Sequence, residues 1–342
     1  MATVTINNVV LRGVSACVPK SVVFNSGVDY INEKELQVLI KTVGVQERRL
    51  VNNTTLCSDL CFQSTQKLLE SLKWQPKDVD ILIFVSQSRD YILPSTSILL
   101  QEKLGMSKST LAFDIPLGCS GYTYGLMVLS SVMTACRLRH GLLLAGDLST
   151  TVVNEQGQKT FPLFGDAGTA TALEYKNGAD AFLFEAGSDG SGSQAIIIPS
   201  NCQMKSLGTP PFNDNTLVMN GVKVFEFSIR EVPNSIKRLL EFAGISVGDI
   251  DYFIMHQANQ LMNETIRKIM GFTQMQTPYS LQKFGNTSSA SIPLTMVTQL
   301  KEVLESKTCK LLLSGFGVGL SWSSALLQAS CLSIPDLIEY DK

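Results

Sequence analysis

The chain matches itself. The segment LLESLKWQPKDVDILIFV (68–85) aligns with LLEFAGISVGDIDYFIMH (239–256) at a constant offset of 171 residues, half of the 342-residue length. Leu68, Leu69 and Glu70 fall on Leu239, Leu240 and Glu241, and Asp78 and Asp80 fall on Asp249 and Asp251. Each copy reads as a helix end, a short loop, a D-[VI]-D turn and an apolar run of buried-strand length. Two further pairs follow in the same order, at offsets of 167 and 169. GCSGYTYGLMVLSSVM (118–133) resembles GNTSSASIPLTMVTQL (285–300), in each case small polar residues leading into an apolar helical pattern. HGLLLAGD (140–147) resembles CKLLLSGF (309–316), each a short buried strand ending at glycine. A period this long excludes a solenoid array, whose repeats run to about 20–50 residues. It calls for two copies of one α/β unit, which we place at 1–178 and 179–342. Alternating strands and helices, with apolar strands covered on both faces, predict a layered sheet architecture.

Charge narrows the partners. With 28 basic against 30 acidic side chains, the net charge of −2 gives no long-range attraction to nucleic acid or anionic membrane. Only 17% of residues are charged, against about 25% in ordinary globular proteins. That shortage predicts that part of the surface is hidden in a subunit interface. No apolar run reaches the roughly 18 residues of a membrane span. The opening MATVTINNVVLRG alternates like a strand and lacks the order of a signal peptide. A soluble, cytoplasmic, oligomeric protein is expected. The eight cysteines show no paired pattern, as suits a reducing compartment. Cys57 and Cys61 stand four apart, but nothing completes a zinc site, so they are read as packing residues and no metal is expected.

The copies diverge where chemistry would sit. The first strand ends Phe84-Val85-Ser86 and the second Met255-His256-Gln257; the first small-residue turn carries Cys119 and the second Asn286. Cys119 lies on an elbow that opens a helix, where free N–H groups and the helix dipole favour a thiolate. Taken singly, it also reads as a cysteine filling a tight turn, His256 as a satisfied core histidine, and Asn286 as a turn former. The other histidine, His140 in RLRHG, reads as a capping charge at a basic helix end. The duplication puts Cys119 and Asn286 at equivalent corners of related units. Converging with His256, they form a covalent acyl-transfer site. The glycine-rich GFGVGL (315–320) can supply close backbone N–H groups for an oxyanion. It is a poor dinucleotide loop, because only 23 residues follow Gly319.

With GCSGYTYGL, FGDAGTATALE (164–174), MHQAN (255–259), FGNTSSASIP (284–293) and GFGVGLSW in place, the sequence resembles the β-ketoacyl-(acyl-carrier-protein) synthase III branch of the thiolase-fold condensing enzymes. The likeness covers nearly the whole chain, and the 30-residue step from His256 to Asn286 matches the family's spacing. It implies a thiolase fold, with duplicated α/β halves in a layered αβαβα arrangement. It implies that Cys119 takes an acyl group from a thioester and that a malonyl thioester then enters. His256 and Asn286 would hydrogen-bond its carbonyl while carbon dioxide departs. The backbone N–H groups of Cys119 and Val318 would hold the oxyanion, and Phe316 would line the site. Acyl carrier protein is the implied partner, the assembly is a homodimer, and no cofactor is implied.

Departures from the family pattern point to a specialised paralogue. A tryptophan and two arginines that bind the adenine end of coenzyme A correspond here to Val38, Thr42 and Gln158. An arginine that helps dock the carrier corresponds to Leu261, leaving Lys268 as a candidate contact. A phenylalanine donated by the neighbouring subunit to limit acyl depth corresponds to Leu93. Other readings stay open at this level: a non-decarboxylating acyltransferase to hydroxyl or amine acceptors, a non-catalytic heterodimer partner, and a cysteine hydrolase.

Overall fold

The duplicated segments fold alike down to their hydrogen bonds. Helix Cys57–Leu72 ends at Lys73 in the left-handed region (φ 56°), and helix Gly221–Ala243 ends at Gly244 with φ 66°. One-turn 3-10 helices follow, Pro76–Asp78 and Val247–Asp249. Then come the buried strands Ile81–Val85 and Tyr252–Met255. The second aspartate of each D-[VI]-D turn ties that strand to its parallel neighbour. The Asp80 carboxylate accepts the backbone N–H groups of Arg139 at 2.7 Å and His140 at 3.0 Å. Its counterpart Asp251 accepts Lys310 N–H at 2.7 Å.

The computed structural model describes residues 2–27, 32–153, 161–198 and 216–341. Two sheets result. One runs Ile338–Tyr340, Val9–Pro19, Asp166–Tyr175, His140–Leu148, Ile81–Val85 and Leu111–Ile115 across its width. The other runs Ala2–Ile6, Phe182–Ser188, Ser321–Ser330, Thr308–Gly317 and Tyr252–Met255. Equivalent strands pair with the same sense. Ile81 sits opposite Gly141 and Tyr252 opposite Leu311 in parallel pairs, and each central strand then pairs antiparallel with the next. The terminal strands cross over: Ala2–Ile6 edges the second sheet, and Ile338–Tyr340 edges the first.

Alternation along the strands builds five layers. Ile81, Ile83 and Val85 face a central layer made by helices Gly121–Cys136 and Ser291–Gln299. Leu82 and Phe84 face outward, onto Leu60, Leu68 and Leu69 of helix Cys57–Leu72. On the far side, Phe253, Met255 and Leu312 pack beneath helices Gly221–Ala243 and Gln260–Met270. Leu311 and Leu313 turn back to the central layer. This is the expected αβαβα arrangement. No helix among the described residues is long and apolar enough to cross a membrane.

His140 corrects the reading made of it. The helix before it ends at Cys136 with Arg137 as its cap, and His140 opens the next buried strand. Its ring stacks on Trp74 with centroids 3.9 Å apart, and Nδ1 lies 3.1 Å from the Asp78 carbonyl. It is a core residue, because the chain turns inward three residues sooner than the basic run suggests.

Candidate active site

One cavity brings Cys119, His256, Asn286, Phe316 and Val318 together. Each arrives on the end of an element that the duplication built. Cys119 precedes the central helix Gly121–Cys136. His256 follows strand Tyr252–Met255, its backbone N–H bonded to the Ser314 carbonyl of the neighbouring strand at 2.8 Å. Asn286 stands between the short helix Leu281–Phe284 and the second central helix.

The FGDAG motif has a positioning job here. Asn286 N–H donates to the Leu163 carbonyl at 2.8 Å, and Gly165 N–H donates back to the Asn286 carbonyl at 3.1 Å. A Cβ at Gly165 would lie 2.1 Å from the Phe284 carbonyl oxygen, so only glycine allows this contact. The Asn286 side chain is also oriented. Its Oδ1 accepts Ser288 N–H at 2.9 Å and its amide nitrogen donates to the Ala258 carbonyl at 3.5 Å, leaving the second amide hydrogen to donate.

The glycine-rich loop reaches the nucleophile. Gly317 has φ 153°, and a Cβ there would sit 2.7 Å from Cys119 Cβ and 3.0 Å from its sulfur. The backbone N–H groups of Val318 and of Cys119 itself lie near the Cys119 sulfur. The Ser288 hydroxyl lies 3.8 Å away. These contacts lower the thiol pKa, yet burial dominates and pushes it up to about 11. The resting group is therefore a thiol, which departs from the thiolate expected of the helix terminus. The residue keeps partial access to the cavity while its sulfur is packed round by protein. Burial also pushes His256 down to about 3, so the imidazole rests neutral. Phe316 meets that ring edge-on, with centroids 5.5 Å apart.

Several participants carried no sequence signal of their own. Asp147 ends the strand His140–Leu148 and lines the cavity. It accepts Gln87 N–H at 2.7 Å, and Ser289 N–H and hydroxyl at 3.1 and 2.8 Å. That carboxylate clamps the loop after Asn286 against the first half. A charged residue ending an otherwise apolar strand was the available clue. Ser288 and Ser291 looked like ordinary turn and cap residues.

Other expected positions lie outside the cavity wall. Leu93 is 84% exposed on the surface. Val38 and Leu261 are also exposed, on helices Glu33–Val43 and Gln260–Met270, which meet where Gln260 covers Gly44. Thr42 spends its hydroxyl on the Val38 carbonyl at 2.8 Å. Lys268 is exposed on the same helix as Leu261. Gln158 lies outside the described residues. Cys57 and Cys61 are buried, their sulfurs against Gly146.

Residues 113–190 match the family model described as 3-oxoacyl-[acyl-carrier-protein (ACP)] synthase III, and residues 240–329 match the model for its C-terminal part. The chain is 31% identical to the β-ketoacyl-[acyl-carrier-protein] synthase III of Staphylococcus epidermidis over 94% of its own length and 99% of the relative's. It is 29% identical to the enzyme of that name from Oceanobacillus iheyensis, over 94% and 99%. The solved structure of a 3-oxoacyl-(acyl-carrier protein) synthase from Burkholderia xenovorans superposes with a TM-score of 0.94, at 37% identity and 99% coverage of both chains.

Proposed function

Because the chain belongs to the 3-oxoacyl-(acyl-carrier-protein) synthase III family, we propose that its cavity performs a decarboxylative Claisen condensation of an acyl thioester with a malonyl thioester. The observation that carries this reading is the convergence of a thiol, an imidazole and an amide donor on one cavity. Cys119 takes the acyl group from its donor. We assign the backbone N–H groups of Cys119 and Val318, near the sulfur, as donors to the acyl oxygen that becomes the oxyanion of each tetrahedral intermediate. Asn286 and His256 hydrogen-bond the malonyl thioester carbonyl as carbon dioxide leaves, and the resulting carbanion attacks the acyl-Cys119 carbonyl to give a 3-oxoacyl product. Incubation with acyl and malonyl thioesters tests this directly. Carbon dioxide and a 3-oxoacyl product are expected in equal amounts, and acyl transfer to a hydroxyl or amine acceptor without carbon dioxide would sink the reading.

The donor's handle follows from the residues at the positions that the family uses to bind adenine. Exposed Val38 offers no ring for adenine, and Thr42 offers no charge for phosphate. Charge-assisted hydrogen bonds contribute roughly 1.5–3 kcal/mol each. Lacking two of them weakens coenzyme A binding by about two orders of magnitude or more. A carrier protein presents phosphopantetheine without adenine, and the apolar wall of Ile196, Leu217, Met219, Val224 and Met262 suits that arm. Lys268, exposed on helix Gln260–Met270, is our candidate contact for an acidic carrier surface. For one acyl chain on both handles, kcat/KM is expected to be roughly 100-fold higher on carrier protein. Equal use of the coenzyme A thioester would show that other residues bind the adenine.

A homodimer completes the acyl end. Strand Leu111–Ile115 is an unpaired sheet edge with Leu111 exposed. Beside it, Tyr91, Ile92 and Leu93 are 59%, 82% and 84% exposed. The Asp114 carboxylate holds this loop by accepting Thr96 and Ser97 N–H groups at 2.8 and 2.9 Å. An apolar loop fixed beside an open strand edge is a surface built for covering. In the pairing we propose, Leu93 enters the partner's acyl pocket. Sedimentation should give a dimer, and Leu93→Phe should shift preference toward short acyl chains. An unchanged chain-length profile would count against this placement.

A further inference from the structure

The hydroxyl of Ser291 has three partners, and together they fix a proton. It lies 2.8 Å from the Ser288 carbonyl oxygen, an atom that only accepts, and a hydroxyl hydrogen directed there is not shared with the imidazole. The backbone N–H of Gln257 donates to the same hydroxyl oxygen at 3.3 Å. The third partner is Nδ1 of His256 at 2.9 Å. With its hydrogen so directed, Ser291 meets that nitrogen as an acceptor, an arrangement that calls for the ring hydrogen on Nδ1. A neutral imidazole protonated at Nδ1 has only a lone pair at Nε2.

We propose that Ser291 is a positioning residue that holds resting His256 as its Nδ1–H tautomer, so that Nε2 serves the site as an acceptor. Asn286 is fixed the opposite way, because Ser288 N–H occupies its Oδ1 and leaves the amide as donor. The resting site pairs one acceptor with one donor. The consequence rests on the condensation reading: His256 must gain a proton at Nε2 before it donates to the malonyl thioester. Acylation releases one. As the Cys119 sulfur bonds the acyl carbon, its proton passes to Nε2, the donor's C–S bond breaks, and the departing thiolate is protonated by water. The imidazolium then donates to the malonyl carbonyl while carbon dioxide leaves. Its proton returns to the Cys119 sulfur when the new C–C bond has formed and the acyl–sulfur bond breaks. Through Nδ1–H, Ser291 stabilises the cation in between.

The chain has two histidines, His140 and His256, so 15N-histidine labelling yields two rings, assigned with His140→Gln. In resting wild-type protein at neutral pH, His256 should show a protonated Nδ1 and a pyridine-like Nε2. Ser291→Ala should lose that preference and lower kcat for condensation roughly 10–100-fold, with the acyl-donor KM little changed. Ser291→Thr keeps the hydroxyl and should restore both. A protonated Nε2 in the wild type overturns the proposal without any variant having to fold, and so does an unchanged tautomer in Ser291→Ala. The ring is read whether or not malonyl thioesters are condensed. Absent carbon dioxide release beside an Nδ1–H ring therefore defeats the condensation reading alone.

Discussion

Replacing Cys119 with alanine is expected to abolish the acyl-enzyme and to lower condensation by about 10⁴–10⁶. The size follows from the chemistry: without the sulfur there is no covalent intermediate, and binding with oxyanion donors alone leaves only a residual rate. Intact-protein mass should show one acyl adduct on the wild type and none on Cys119→Ala, although seven other cysteines remain. An adduct that persists in the variant would place acylation elsewhere. The thiol's environment adds a pH signature. Burial raises its pKa to about 11, so neutral thiol dominates at physiological pH. Because the thiolate is the reacting form, alkylation by iodoacetamide should rise about tenfold per pH unit from neutrality toward pH 10. A plateau near pH 7 would mean that the Val318 and Ser288 contacts outweigh desolvation.

Asn286→Ala should separate the two half-reactions. Acylation of Cys119 uses the oxyanion N–H groups and should persist, whereas malonyl decarboxylation needs donors at the enolate oxygen. Removing one such donor costs about 10²–10³ in rate. The alanine variant also strips Ser288 N–H of its acceptor, which could disturb the loop. Asn286→Asp controls for that, because it keeps an acceptor oxygen of the same shape while losing the amide donor and adding negative charge. Both variants should accumulate acyl-enzyme by mass and release little carbon dioxide. Condensation near the wild-type rate in either would remove Asn286 from the mechanism.

The sequence by itself determined the duplication, and the duplication carried much of the fold. The D-[VI]-D turns repeat because each second aspartate must bind the start of the neighbouring parallel strand, a local requirement legible at fixed spacing. The apolar runs between them could only be buried strands. Comparing the copies also exposed the site, since Cys119, His256 and Asn286 stand where two otherwise similar units stop matching. Tertiary structure alone decided how these groups behave. The thiol's charge state depends on how many protein atoms surround the sulfur, a desolvation that outweighs the helix terminus visible in sequence. His140 looked like a helix cap, but Trp74 and the Asp78 carbonyl, remote in the chain, make it a core residue. Ser288, Ser291 and Asp147 drew no attention because serine and aspartate suit turns everywhere. They gain their roles from contacts between residues distant in the chain, such as the Asp147–Ser289 bonds spanning 142 residues and the Ser291–His256 contact spanning 35. Spacing along a chain can announce a turn or a strand. The direction of a hydrogen bond between distant residues is set only when the layers close around it.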